Sequence, residues 1–144
     1  MAFWPIFRLT NTAVFEAFKI VEISVRNLCN LPADVIGTNL MRKAFDCQKG
    51  ILTNMSLPIA EREALSHLFA GAIGLYKNSH SHREVEISFN QAFEMLLLAS
   101  HLLNVLDSIE KKANAWYGIF MLTKRFRMRR PFNIPIIHSV PTLY

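Results

Sequence analysis

The segment Tyr76-Lys77-Asn78-Ser79-His80-Ser81-His82-Arg83 gathers two cations, an amide, two hydroxyls and two imidazoles into eight residues. Unpartnered polar groups are costly inside a hydrocarbon core, so the cluster points to a surface role. Metal-free cleavage of RNA needs such a set. An imidazole titrates near neutral pH and can take the proton from a ribose 2′-hydroxyl, the role open to His82. A cation such as Lys77 can stabilise charge developing on the phosphate. The Asn78 amide can orient either group. Arg83 and His80 could add contacts to RNA. The same residues also suit a plain helix end, where cations complement the dipole and Asn tolerates a left-handed cap. Residues five apart do not share one helical stripe. Convergence of Lys77 and His82 therefore calls for a bend at Ser79, a 3₁₀ turn, or a two-fold axis that joins two copies.

The elements that must position the cluster read as helices. Thr10, Asn11 and Thr12 supply helix-starting side chains, and Val14, Phe18, Val21, Val25 and Leu28 then form one apolar stripe. Glu22 and Arg26 are a favourable i, i+4 pair on another face, and Asn30-Leu31-Pro32 ends the helix. Gly37-Thr38 opens a short second helix with an apolar side at Leu40, Met41, Ala44 and Phe45, closed by Gln48-Lys49-Gly50. Residues 51–57 read as a loop with an apolar anchor or two. Pro58 suits the first turn of a third helix, and Glu61 and Glu63 complement its dipole. Leu65, Leu68, Phe69, Ala72, Ile73 and Tyr76 are its expected buried side. Gly71 and Gly74 imply close helix–helix approach. A fourth helix is expected from about Val85 to Lys112, burying Phe89, Ala92, Phe93, Leu96, Ala99, Leu103 and Leu106. No segment shows sustained two-residue alternation, so the fold class is all-α, a helical bundle.

Length and charge narrow the functions. A chain of 144 residues, about half of them apolar, builds one globular domain. Residues 1–123 hold eleven of the sixteen Lys/Arg and all eleven Asp/Glu, so they sum to zero. The net charge of +5 therefore belongs to Lys124, Arg125, Arg127, Arg129 and Arg130. This basic stretch could meet RNA phosphate or an anionic membrane surface, or could simply be solvated. Cys29 and Cys47 cannot form a secreted-type disulfide framework, and with His80 and His82 they match no zinc spacing. No secretory leader is evident, and no stretch is expected to reach the eighteen apolar residues a spanning helix needs; the closest, Met95 to Leu106, is interrupted by Ser100, His101 and Asn104. These features point to the cytoplasm. His67 and His101 read as boundary or hydrogen-bonded histidines. Phe15, Phe18, Phe45, Phe69, Phe89 and Phe93 read as core, and the methionines as gap-fillers.

Four landmarks in order resemble the Ymh family of phage, plasmid and bacterial proteins. They are the run from Ala13 to Arg26, Gly37-Thr-Asn-Leu-Met41 with Ala44-Phe45, Leu68 to Gly74 leading into Lys77-Asn78 and His82-Arg83, and Ala92 to Asp107. The resemblance spans roughly residues 11–110. That family in turn looks like the HEPN class of helical domains. This resemblance implies an up-and-down four- or five-helix bundle that forms a homodimer. It also implies a metal-independent endoribonuclease site built from a motif of Arg, a polar residue, three residues and His, often in toxin–antitoxin or antiphage systems. The motif maps onto Lys77, Asn78 and His82. Lys77 stands where Arg is usual and lacks the planar fork that grips phosphate through two bonds. Ser79 stands where Pro is usual.

The reading that results is an HEPN-like domain over residues 1–112, its N-terminal part shortened, followed by an irregular basic tail over 113–144. The expected function is RNA binding with endoribonuclease chemistry as a toxin or phage-defence component. Catalytic roles fall to His82, Lys77 and Asn78, and RNA contacts to Arg83 and His80. No metal, organic cofactor or membrane span is implied; RNA, a second copy and an antitoxin or defence partner are. The rivals are a non-catalytic dimeric interaction module and a degenerate mobile-element protein.

Overall fold

A computed structural model of the chain describes residues 4–78 and 87–122, with side-chain environments for 10–77 and 87–115. His80, His82, Arg83 and the basic stretch 124–130 lie outside the described residues, as does the side chain of Asn78. Among the described residues, four α-helices and one π-helical segment follow in order: α1 (Trp4–Cys29), α2 (Gly37–Ala44), α3 (Ile59–Ala72), the π segment (Ile73–Asn78) and α4 (Phe89–Leu122). No strand occurs among the described residues, and the all-α expectation stands.

Helix α1 is the centre of the packing. It touches α2, the π segment and, along the longest shared face, α4. Val14, Phe18, Val21, Val25 and Leu28 form its buried stripe as the spacing requires. Its start differs from the sequence expectation. Thr10, Asn11 and Thr12 lie inside the helix, which begins at Trp4 with Pro5 in its first turn. Proline is tolerated there because the first N–H groups of a helix have no intrahelical acceptor. The end is a Schellman turn: Asn30 adopts φ 50°, Leu31 N–H donates to Arg26 O, and Asn30 N–H donates to Asn27 O.

Leu40, Met41 and Ala44 of α2 and its C-cap Phe45 are fully buried, with Phe45 stacked on Phe69 of α3 at 4.3 Å between centroids. The α2–α3 connection is pinned by Asp46. Its Oδ1 accepts from the Gln48 and Lys49 N–H groups, and its carbonyl accepts from Gly50 N–H and Thr53 Oγ1. The same backbone donors hold the Asp46 carboxyl below the usual range. Leu52 is the apolar anchor of the loop, and Arg62 of α3 reaches back to Cys47 O at 2.7 Å.

Helix α3 buries Phe69, Ala70 and Ala72 but leaves Leu68 exposed. Gly74 makes the expected close approach, since a Cβ there would sit 3.1 Å from Thr38 Cγ2 of α2. Gly71 does not; nothing lies within 4 Å of its added Cβ.

Helix α4 departs most from expectation. It begins at Phe89, where Ser88 and Gln91 form a capping box: Ser88 N–H donates to Gln91 Oε1, and Gln91 N–H donates to Ser88 Oγ. It continues to Leu122, past Lys112 and into what reads as tail in the sequence. Its buried seam is Ala92, Ala99, Leu102, Leu106 and Ile109, with Met95 and Leu96 packed against it. Phe89 and Phe93 are 71% and 55% exposed and are not core. The helix is apolar on more than one face, so periodicity alone does not select the buried one. For the same reason Phe89–Ala115 is long and apolar enough, by length and composition, to cross a membrane, with a mean hydropathy of 1.4. Averaging tolerates Ser100, His101 and Asn104, which break a continuous run.

Candidate functional site

Lys77 is the penultimate residue of the π segment, two residues before the undescribed stretch that carries His80, His82 and Arg83. The segment follows α3 without a break. The Ile73 N–H bridges to both Ala70 O and Phe69 O where the helix changes pitch. The change falls between Gly71 and Gly74, where α-helical propensity is lowest. A π turn fits one extra residue into each hydrogen-bonded loop, and such turns recur at functional sites.

Two neighbouring side chains of the π segment are gripped by two α1 residues one turn apart. Tyr76 stacks on Phe18 at 5.1 Å between centroids, with 23° between the ring planes. Lys77 Nζ lies 3.0 Å from Glu22 Oε2. Glu22 is 3% exposed, and Lys77 is 18% exposed at its side chain.

Glu22 is the hub. Its Oε1 accepts from Arg26 Nη2 at 3.0 Å and from the Gly37 N–H at 3.0 Å. Arg26 Nε also donates to Val35 O at 3.2 Å. Gly37 begins α2 with φ 63°, a left-handed conformation that glycine adopts without steric cost and that turns its N–H to the carboxylate. Lys77 Nζ forms an ion pair with Oε2, the carboxylate oxygen that Arg26 and Gly37 leave free. One buried carboxylate thus ties α1, the α1–α2 loop, the start of α2 and the π segment together. Glu22 and Arg26 are recognisable in the sequence as a helical pair. Their burial and their tie to Lys77 are not, because those depend on chain segments far apart in sequence.

Of the residues that sequence spacing singles out, Lys77 is therefore placed on a paired, half-buried ledge, and the backbone of Asn78 continues from it. Their convergence with His82 falls outside the described residues. A separate cleft of about 320 Å³ opens between the 52–57 loop, α3 and α4, lined by Leu52, Leu65, His101, Asn104, Ser108 and Lys112 among others. Neither Lys77 nor Glu22 lines it. Among the described residues no three His, Cys, Asp or Glu side chains converge as metal ligands.

The fold and this ledge define an all-helical domain organised around one buried charge hub. By comparison of sequences, the family described as "Protein of unknown function (Hypoth_ymh)" matches residues 9–106, more than half of the chain, and the protein belongs to that family. No curated protein and no solved structure matches the chain.

Proposed function

We propose that this protein is an HEPN-like RNA-binding domain that cleaves RNA without a metal and serves as a toxin or phage-defence component. The observation that supports this reading is the Lys77 ledge. A cation held by packing and by Glu22 immediately precedes, in sequence, Asn78, His80, His82 and Arg83. In this reading Lys77 neutralises phosphate, His82 is the general acid–base, Asn78 orients them, and Arg83 and His80 add RNA contacts. A homodimer brings two such clusters together. The protein acts in the cytoplasm, with an antitoxin or defence partner, and α4 serves as a bundle helix. The test is cleavage of a single-stranded RNA in the presence of chelator by wild type and His82→Ala. Loss of cleavage in the variant is expected, and equal activity removes His82 from the mechanism.

A second reading is a non-catalytic dimeric interaction module. It is favoured by Phe89, Phe93 and Leu97, which expose an apolar stripe at four-residue spacing on α4. Absence of RNA binding in both wild type and His82→Ala, with unchanged stability, selects this reading.

A further inference from the structure

Glu22 belongs to none of the chemistry read from the sequence, yet it is the most deeply committed charge among the described residues. We propose that Glu22 is a positioning residue for Lys77: it holds the ammonium on the ledge from which Lys77 meets one phosphate of RNA. This inference rests on the RNA-binding reading above and deepens it.

Three observations carry it. First, a carboxylate 3% exposed is costly unless it is well paired, and Oε1 already has two donors, from Arg26 and Gly37. Holding α1 to α2 needs no more than that. Oε2 is instead turned to Lys77, on a different element. Second, a lysine ammonium has three N–H donors, and the single carboxylate oxygen at 3.0 Å engages no more than one of them. The ammonium is held in place with donor capacity left over for a phosphate oxygen. Third, the hub contains two cations and one carboxylate, so one positive charge is left over. Glu22 therefore fixes Lys77 without cancelling the field of the ledge. The Phe18–Tyr76 stack fixes the neighbouring residue, so the ammonium has a defined origin as well as a defined partner.

The sign of one substitution separates this role from that of a simple counterion. Glu22→Gln raises the charge of the hub by one. Coulomb attraction alone then predicts tighter RNA binding. A positioning role predicts weaker binding despite the added charge.

The experiment uses the full chain as wild type, Glu22→Gln, Lys77→Met and the double variant, each held below its unfolding transition as checked by circular dichroism. Two quantities are read. One is the rate of Lys77 acetylation by an amine-reactive acetyl ester, followed by mass spectrometry and referenced to exposed Lys49. The other is affinity for a single-stranded RNA oligonucleotide by fluorescence anisotropy at fixed salt. Glu22→Gln is expected to speed Lys77 acetylation and to weaken RNA binding by about tenfold, which corresponds to ~1.4 kcal/mol. In the Lys77→Met background Glu22→Gln is expected to have no further effect on RNA binding. Unchanged acetylation, tighter binding, or an equal loss of affinity with and without Lys77 each overturns the proposal. If the wild type binds no RNA, the RNA-binding reading falls by itself, and the acetylation rate alone decides whether Glu22 positions Lys77.

Discussion

Glu22 Oε2 and Lys77 Nζ stand 3.0 Å apart, joining the C-terminal half of α1 to the last turn before the undescribed segment. The Glu22 side chain is buried while that of Lys77 is 18% exposed, so the two partners are unequal. Removing each should have a different consequence.

Glu22→Ala leaves Arg26 and Lys77 half-buried without their anion and frees the Gly37 N–H. Breaking a buried pair in this way costs about 3–5 kcal/mol. Lys77→Met leaves Glu22 bonded to Arg26 and Gly37 and replaces one long side chain by another, so its cost should be about 1 kcal/mol. Urea unfolding of both variants checks the order. A larger loss for Lys77→Met than for Glu22→Ala would show that the hub is not centred on the carboxylate.

The glycines divide by the space around them. Gly50 is buried, and a Cβ there would collide with the Asp46 backbone and Thr53 Oγ1. Gly50→Ala should therefore destabilise by about 1–3 kcal/mol. Gly71 lies in α3 with nothing within 4 Å of an added Cβ. Gly71→Ala should stabilise by about 0.5–1 kcal/mol through helix propensity. Thermal melts should move in opposite directions, and a shared sign would contradict the packing.

That contrast shows how far the sequence reaches. The stripe on α1, the apolar side of α2 and Pro58 ahead of α3 are local signals and can be read without coordinates, whereas the glycine signal does not distinguish Gly74, which approaches Thr38, from Gly71, which approaches nothing. The capping box at Ser88 and Gln91 is also local; it was available as Ser-x-x-Gln and marks the start of α4 better than hydrophobicity does. What sequence could not supply is which of several apolar faces of α4 meets α1, or that Glu22 lies beneath Lys77. Those are pairings between distant segments. Periodicity says that a helix has a face, and the partner helix decides which one is used.

The outward stripe of α4 therefore makes a sharp test. Phe93 is 55% exposed and Phe18 fully buried. Phe18→Ala removes a core ring and its stack on Tyr76, and should cost about 3–5 kcal/mol. Phe93→Ser should change stability by no more than about 0.5 kcal/mol. Equilibrium unfolding measures both. A cost for Phe93→Ser that rises with protein concentration would show that the stripe is covered by a second copy.

Cys29 gives the fold a signature at high pH. It is 3% exposed on the buried side of α1, and burial pushes its thiol up to about 12 from an ordinary value near 9. The unfolded chain releases this proton as pH rises past about 8.5–9, while the folded chain keeps it until about 12. The unfolded state then binds fewer protons than the native state, so stability falls with rising pH across that window, by up to ~1.4 kcal/mol per unit, and is unaffected by this group below it. Comparing wild type with Cys29→Ala removes the contribution of other titrating groups. The stability advantage of the wild type at pH 8 should shrink steadily toward pH 11. A constant difference between the two proteins across that range would mean that the thiol is open to solvent, and that the inner face of α1 is not packed as described.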